Sequence, residues 1–250
     1  MNKTVLIDCF PESAEHYRAD YAIVAIDVIR ATTTATTAMS AGRRVFPART
    51  SDDAFVLAAT LEDPLLVGEL GGNMPVGFHI TNSPVDIAAR DDHHRPMILV
   101  SSSGTQLMLT AVGSEAVYLA CLRNYSAVAT CLAGRHSRVA IIGAGTRGQF
   151  RREDQIGCAM VAKKLMDLGY VPENAKTAHV VERWTSMAFS DALDAIKNGK
   201  SAEYLRKSNQ VHDLEFVLAH IDDLQTVPRL VGGELQNAAQ APVRGWQPAS

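Results

Sequence analysis

Ala22-Ile23-Val24-Ala25-Ile26 runs straight into Asp27-Val28-Ile29-Arg30-Ala31-Thr32-Thr33-Thr34. Five apolar residues without alternation describe a strand covered on both faces, as in a parallel sheet. The same change from apolar run to polar loop recurs three times. Leu65–Val67 leads into Gly68-Glu69-Leu70-Gly71-Gly72, Met97–Val100 into Ser101-Ser102-Ser103-Gly104-Thr105, and Val139–Ile142 into Gly143-Ala144-Gly145-Thr146-Arg147. In an open parallel sheet the carboxyl ends of the strands share one edge, where α/β proteins bind their ligands. Four polar loops are therefore expected along a single rim.

Further strand candidates are Thr4–Ile7, Arg44–Pro47, Ala116–Leu119 and Ala178–Val181. Amphipathic spacing predicts helices over Thr33–Ala41, Ser51–Thr60, Gly104–Val112, Tyr125–Ala133, Glu153–Leu168, Ala188–Lys197 and Asp213–His220. Short apolar runs alternating with longer amphipathic ones predict a three-layer α/β/α fold around a mostly parallel central sheet. Residues 1–231 are expected to form one domain. The Gly-, Gln-, Ala- and Pro-rich stretch 232–250 reads as a loose tail.

At 250 residues and 47% hydrophobic content the chain can bury a large core, which excludes a disordered protein. Its 24 Lys and Arg against 27 Asp and Glu give a net charge of -3, so nucleic acid is not the expected partner and any positive site must be local. The N-terminal stretch meets acids and a proline too early for a signal peptide, and no run approaches the ~20 apolar residues of a membrane span. A cytoplasmic protein with no membrane partner is expected. Cys9, Cys121, Cys131 and Cys158 lie in or beside apolar stretches without paired spacing, as buried thiols do.

Three of the four loops carry hydroxyls, glycines and the N–H groups of a following helix, an arrangement that receives phosphate or carboxylate. Each helix end contributes only ~0.3–1 kcal/mol at an exposed site, so arginines must assist, and Arg30 and Arg147 are the candidates. Acidic residues stand beside them: Asp27, Glu69 and the pair Glu153-Asp154. Carboxylates next to an anion site repel its ligand unless a cation intervenes. Mg²⁺ held by one or two carboxylates and phosphate oxygens resolves the conflict and points to phosphoryl chemistry.

Plainer readings stand beside these. Asp27 and Thr32–Thr34 could cap the helix behind them. Glu153-Asp154 could answer a helix dipole, and Ser101–Ser103 could be a capped turn. Gly143-Ala144-Gly145-Thr146-Arg147-Gly148 fits the dinucleotide fingerprint, but the helix resumes only near Glu153 and the expected acid downstream is missing. Basic runs such as Arg151-Arg152 and Lys163-Lys164 read as solvated faces. Motifs for thiol phosphatases, haloacid-type phosphatases, GxSxG hydrolases, HExxH metalloproteases and P-loop enzymes are absent.

Several blocks together resemble one family. They are the Asp27–Thr34 run, Gly68-Glu69 with Gly71-Gly72, Gly77-Phe78, Asn82-Ser83-Pro84, Gly104-Thr105, Asn124, Ala144-Gly145-Thr146 and Glu153-Asp154. In this order they resemble the motif series of the 2-phosphosulfolactate phosphatases. Asp213-Leu214-Glu215-Phe216 and Val227-Pro228 resemble that family's C-terminal signature. The resemblance implies an α/β/α fold and Mg²⁺-dependent hydrolysis of the phosphate ester of sulfolactate, a step toward coenzyme M. Two departures stand out: Ser103 where the family typically carries Asn before Gly-Thr, and His79 where it typically carries Asp after Gly-Phe.

Both lines lead to hydrolysis of a phosphate monoester on a small anionic hydroxy acid. Asp27, Glu69 and Asp154 are the expected catalytic residues and Mg²⁺ ligands, with Asp27 the one nominee for a covalent route. Arg30 with Thr32, Thr33 and Thr34 would hold one anionic group, and Gly145, Thr146 and Arg147 another. Ser102, Ser103, Thr105 and Asn124 would add hydrogen bonds, and His79 would tune specificity. A metal-dependent lyase or isomerase acting on a phosphorylated acid would use the same groups, as would a non-catalytic sensor of a phosphorylated ligand. Apolar alternation around Ala188–Lys197 and Asp213–Val217 is compatible with a homodimer.

Overall fold

Strand β2 (Ala22–Ile26) lies near the middle of a ten-stranded sheet and is buried at every position. The structure, a computed structural model, describes residues 3–146 and 148–240. Parallel neighbours of β2 are β6 (Ala116–Ala120) and β7 (Arg138–Gly143); β1 (Thr4–Cys9) pairs with β7, and the short β8 (Val171–Pro172) adds to β1. A second parallel run consists of β3 (Val45–Ala48), β4 (Leu65–Gly68) and β5 (Met97–Val100), in the order β4-β5-β3. The hairpin β9 (Pro228–Val231) and β10 (Glu234–Asn237) joins the two runs, antiparallel to β6 on one side and to β3 on the other. Gly232 and Gly233 both take positive φ, 58° and 88°, which a two-residue turn matched to strand twist requires.

Helices cover both faces of this mostly parallel sheet, giving the three-layer α/β/α architecture. One side of the first run packs against α5 (Tyr125–Ala133), α6 (Arg152–Asp167) and α7 (Ala175–Thr185). The helices α8 (Phe189–Lys197), α9 (Lys200–Lys207) and α10 (Val211–Ala219) join the same core through Ile196, Leu205 and Leu214. The other side meets α1 (Ala31–Ser40) and α4 (Gly104–Thr110), which also touch the second run. One buried cluster accordingly combines Ile23 and Ala25 of β2 with Val67 of β4 and Leu99 of β5, around Ala35 and Leu107. The far face of the second run carries α2 (Ser51–Ala58), and the short α3 (Pro84–Ala88) packs on α1 and α10. No helix among the described residues is long and apolar enough to cross a membrane.

Three expectations are corrected. Ala178–Val181 lies inside α7, not in a strand. The side chain of Asn174 accepts from the Thr177 amide as an N-cap, and Thr177, Val181 and Trp184 are buried at helical spacing. Residues 234–237, expected in a tail, are sheet, paired with β9 and β3 and anchored by Leu235 in the core; residues 241–250 lie outside the described residues. The four polar loops do not sit along one rim of one parallel run. The inserted hairpin splits the parallel strands into two runs, and their loops meet across α1 and α4.

Candidate active site

The end of β2 is shaped by hydrogen bonds that turn the chain into α1. The Thr32 hydroxyl accepts from the Asp27 amide at 3.0 Å and donates to the Asp27 carbonyl at 2.8 Å, while the Thr33 hydroxyl donates to the Val28 carbonyl at 2.7 Å. These bonds leave the Asp27 carboxylate at the mouth of a cavity of about 630 Å³, accepting from the Ala31 amide. Gly104, at the start of α4, approaches so closely that a Cβ there would stand 2.3 Å from Asp27 Oδ2. Only glycine leaves room for the carboxylate.

Glu69 extends from β4 into the same cavity. Its carboxylate accepts from the Gly72 amide at 2.7 Å, the Ser102 amide at 2.8 Å and the Ser102 hydroxyl at 3.0 Å, which ties the β4 loop to the β5 loop. Burial, and next the charge of Glu69, raises the Asp27 carboxyl to about 7. Asp154, on the first turn of α6, is buried and accepts from the Val28 amide at 2.9 Å and the Gly145 amide at 3.2 Å. Burial and the neighbouring charge of Asp27 push its carboxyl well above the usual range. Glu153 beside it is also buried and raised, and it accepts from Ser201 of α9.

Arg30 supplies the cavity with a buried guanidinium, 5% exposed. Its Nη1 donates to Asp213 and Gln210 around the start of α10, while Nε and Nη2 have no protein acceptor among the described residues. Asp213 is fully buried and accepts the Ser83 hydroxyl at 2.6 Å with its other oxygen. Across the cavity stand Arg151, Lys200 and Lys207. Arg151 Nη1 and Lys200 Nζ both donate to Gln149 Oε1, at 3.1 and 2.8 Å, and the Arg151 Nε is buried without a partner. Arg151 is therefore a cavity residue and not a solvated face. Helix α9 closes this side, its Tyr204 hydroxyl donating to the Gly72 carbonyl at 2.7 Å.

Of the expected residues, Asp27, Arg30, Glu69, Ser102, Ser103 and Thr146 line the cavity. Thr32 and Thr33 are buried and serve the backbone, and Thr34 is buried beside them. Thr105 bonds to Ser101, accepting from its amide and donating to its carbonyl. Asn124 accepts from the Cys121 amide and donates to the Leu119 and Thr226 carbonyls. The Thr32, Thr33 and Thr105 hydroxyls and the Asn124 amide are absorbed by local structure, whereas the Thr34 hydroxyl is buried without a partner. Gly145, at φ 60°, packs under the Phe10 ring and offers its amide to Asp154. His79 is exposed away from the cavity, its Nδ1 accepting from the Leu66 amide. Arg147 lies outside the described residues. Sequence reasoning missed Asn82, Gln210, Lys200 and the rest of α9, which have no polar loop after a strand to announce them.

The three-carboxylate metal set expected from the sequence is not assembled. Asp154 accepts one backbone amide on each oxygen, and among the described residues no group of three His, Cys, Asp or Glu side chains is placed to hold an ion. The donor chemistry of Asp27 and Glu69 still fits Mg²⁺, which binds through one or two carboxylates completed by water and substrate phosphate.

A family model described as 2-phosphosulpholactate phosphatase matches residues 9–233. A probable 2-phosphosulfolactate phosphatase of Thermotoga maritima is 32% identical over 213 residues, spanning 84% of this chain and 89% of the relative. Its counterpart in Deinococcus radiodurans is 32% identical over 233 residues, with 91% and 93% covered. A third, in a Synechococcus strain, is 31% identical over 237 residues, with 91% and 96% covered. With eight of the ten strands and every cavity-lining residue inside the matched span, the chain belongs to the 2-phosphosulpholactate phosphatase family.

Proposed function

We propose that this protein is a phosphoric monoester hydrolase that releases phosphate from 2-phosphosulfolactate or a closely related phosphorylated hydroxy acid, with Mg²⁺ as cofactor. One observation carries the proposal: a carboxylate pair, Asp27 and Glu69, and the cationic side chains Arg30, Arg151 and Lys200 line a single cavity. A sensor of anions has no use for the buried Asp27 carboxylate, whose repulsion from Glu69 is expensive without a bound cation. Family membership and the names of the relatives agree with this chemistry.

Monoester hydrolysis without a catalyst is among the slowest biological reactions, so the site must act mainly by alignment and charge neutralisation. Mg²⁺ held by Asp27 and Glu69 would screen the phosphoryl oxygens. Arg30 offers its free Nε and Nη2 to one anionic group of the substrate, while Arg151 and Lys200, joined through Gln149, are available to another. Glu69 fixes the β4 and β5 loops. Asp154 holds the amides of Val28 and Gly145, keeping the turn after β2 and the loop after β7 in register. Glu153 anchors α9 over the cavity through Ser201.

Incubation with Mg²⁺ and a panel of phosphorylated hydroxy acids in ¹⁸O-labelled water tests the proposal. Hydrolysis with P–O cleavage places ¹⁸O in the released phosphate and leaves the alcohol intact. An altered carbon skeleton would instead identify a lyase or isomerase, and tight binding without product would identify a sensor.

A further inference from the structure

Asn82 sits between two fixed points of the chain. Ile80 forms an isolated bridge with Val67 of β4, and Ser83 caps α3, accepting from the Asp86 amide at 3.1 Å. The side chain between them is only 2% exposed, yet it lines the cavity. Its Oδ1 is buried without a hydrogen-bond partner, and no acceptor is found for its Nδ2 among the described residues. A primary amide withdrawn from water and left unpaired is unfavourable in the empty protein, so native structures leave few such groups unexplained.

The placement of this amide is shared with that of Arg30. Asp213 accepts from Arg30 Nη1 with one oxygen and from the Ser83 hydroxyl with the other. One buried carboxylate thus sets the position of the guanidinium and of the residue next to Asn82. From this geometry we infer that Asn82 is a substrate-contacting residue, its Nδ2 donating to an oxygen of the bound phosphorylated acid beside Arg30 and its orphaned Oδ1 accepting from a hydroxyl or water that arrives with that ligand. Asp213 acts through both donors as a positioning residue. The inference rests on the proposed phosphatase function and adds to it a neutral donor at the Arg30 end of the cavity. An amide there bonds the anion without adding charge, which leaves the balance between cations and carboxylates undisturbed.

The test measures binding of inorganic phosphate by calorimetry in the presence of Mg²⁺, together with thermal unfolding and kcat and KM for phosphate release. For Asn82→Ala, phosphate affinity should fall about ten-fold or more, the loss expected for one hydrogen bond to a charged ligand. The unfolding midpoint of the free protein should stay unchanged or rise, because an unpaired amide has been removed. Asn82→Asp keeps the shape and replaces a donor with an acidic group, so it should weaken phosphate further, and it serves if the alanine variant fails to fold. Phosphate affinity within two-fold of wild type in either folded variant would overturn the assignment and leave the phosphatase proposal standing. A wild-type protein that neither binds phosphate nor releases it would overturn both.

Discussion

Replacing Asp27 by Asn should make the metal-free protein more stable at neutral pH while abolishing its activity. Burial and the charge of Glu69 hold the Asp27 carboxyl at about 7, against 3.8 for an ordinary aspartate. Below pH 3.8 the group is protonated in both folded and unfolded chains and costs nothing. Between 3.8 and 7 the unfolded chain releases the proton and the folded one keeps it, so folding loses stability as pH rises, and above 7 the loss is complete. A difference of this size amounts to about 4 kcal/mol of stability. Asparagine keeps the shape and an oxygen for the Ala31 amide but never ionises. In EDTA at pH 8 the variant should therefore melt about 8 °C above wild type for a chain of this length. At pH 3 the two should melt together. Adding Mg²⁺ should raise the wild-type midpoint and not that of the variant, since a ligand stabilises only the state that binds it. Scanning calorimetry at the two pH values, with and without the ion, decides the matter. Equal midpoints at pH 8, or a variant that still releases phosphate, would refute the assignment of Asp27 as a strained acid held ready for a cation.

Three further outcomes are expected. Gly104→Ala would put a methyl 2.3 Å from Asp27 Oδ2 and 2.5 Å from Ala31 Cβ, and displacing the carboxylate should lower kcat by about 10²-fold in a phosphate-release assay. Asp213→Asn leaves the Arg30 guanidinium buried without its counter-charge, so chemical denaturation should report a loss of about 3–5 kcal/mol, with a raised KM in the surviving fraction. His79→Asp should leave the ratio of rates between two phosphorylated substrates unchanged, because this side chain faces the Leu66 amide and not the cavity.

The strands were legible because a parallel sheet buries both faces: β2 and β5 match the apolar runs Ala22–Ile26 and Met97–Val100 residue for residue. The Val180-Val181 pair, strongly β-forming in isolation, misled because helix α7 is decided by the spacing of Thr177, Val181 and Trp184 against the core. Helix α9 is mostly polar, with only Ala202 and Leu205 buried, so nothing in its pattern marks it as a wall of the cavity. At the site, the loops at the strand ends were readable as polar breaks, and Asp27, Glu69, Ser102, Ser103 and Thr146 from them line the cavity, whereas the Thr32, Thr33 and Thr105 hydroxyls close their own turns. A threonine that binds a ligand and one that closes its own turn, as Thr32 does onto Asp27, look the same in sequence and differ only in where the Oγ points. Asn82 was visible only as one member of a recurring block. Its significance lies in a missing partner, which no residue string records.

The hairpin of β9 and β10 has a consequence for how the protein is made. During synthesis the ribosome delivers β2 with Asp27 and β4 with Glu69 within the first 70 residues, but the hydrogen-bonded path between their two runs passes through residues 228–237. Asp213, which seats Arg30, also emerges late. A growing chain thus carries both acids long before their framework is stitched together. Competence for chemistry is deferred until residues 228–237 have emerged and paired with both runs.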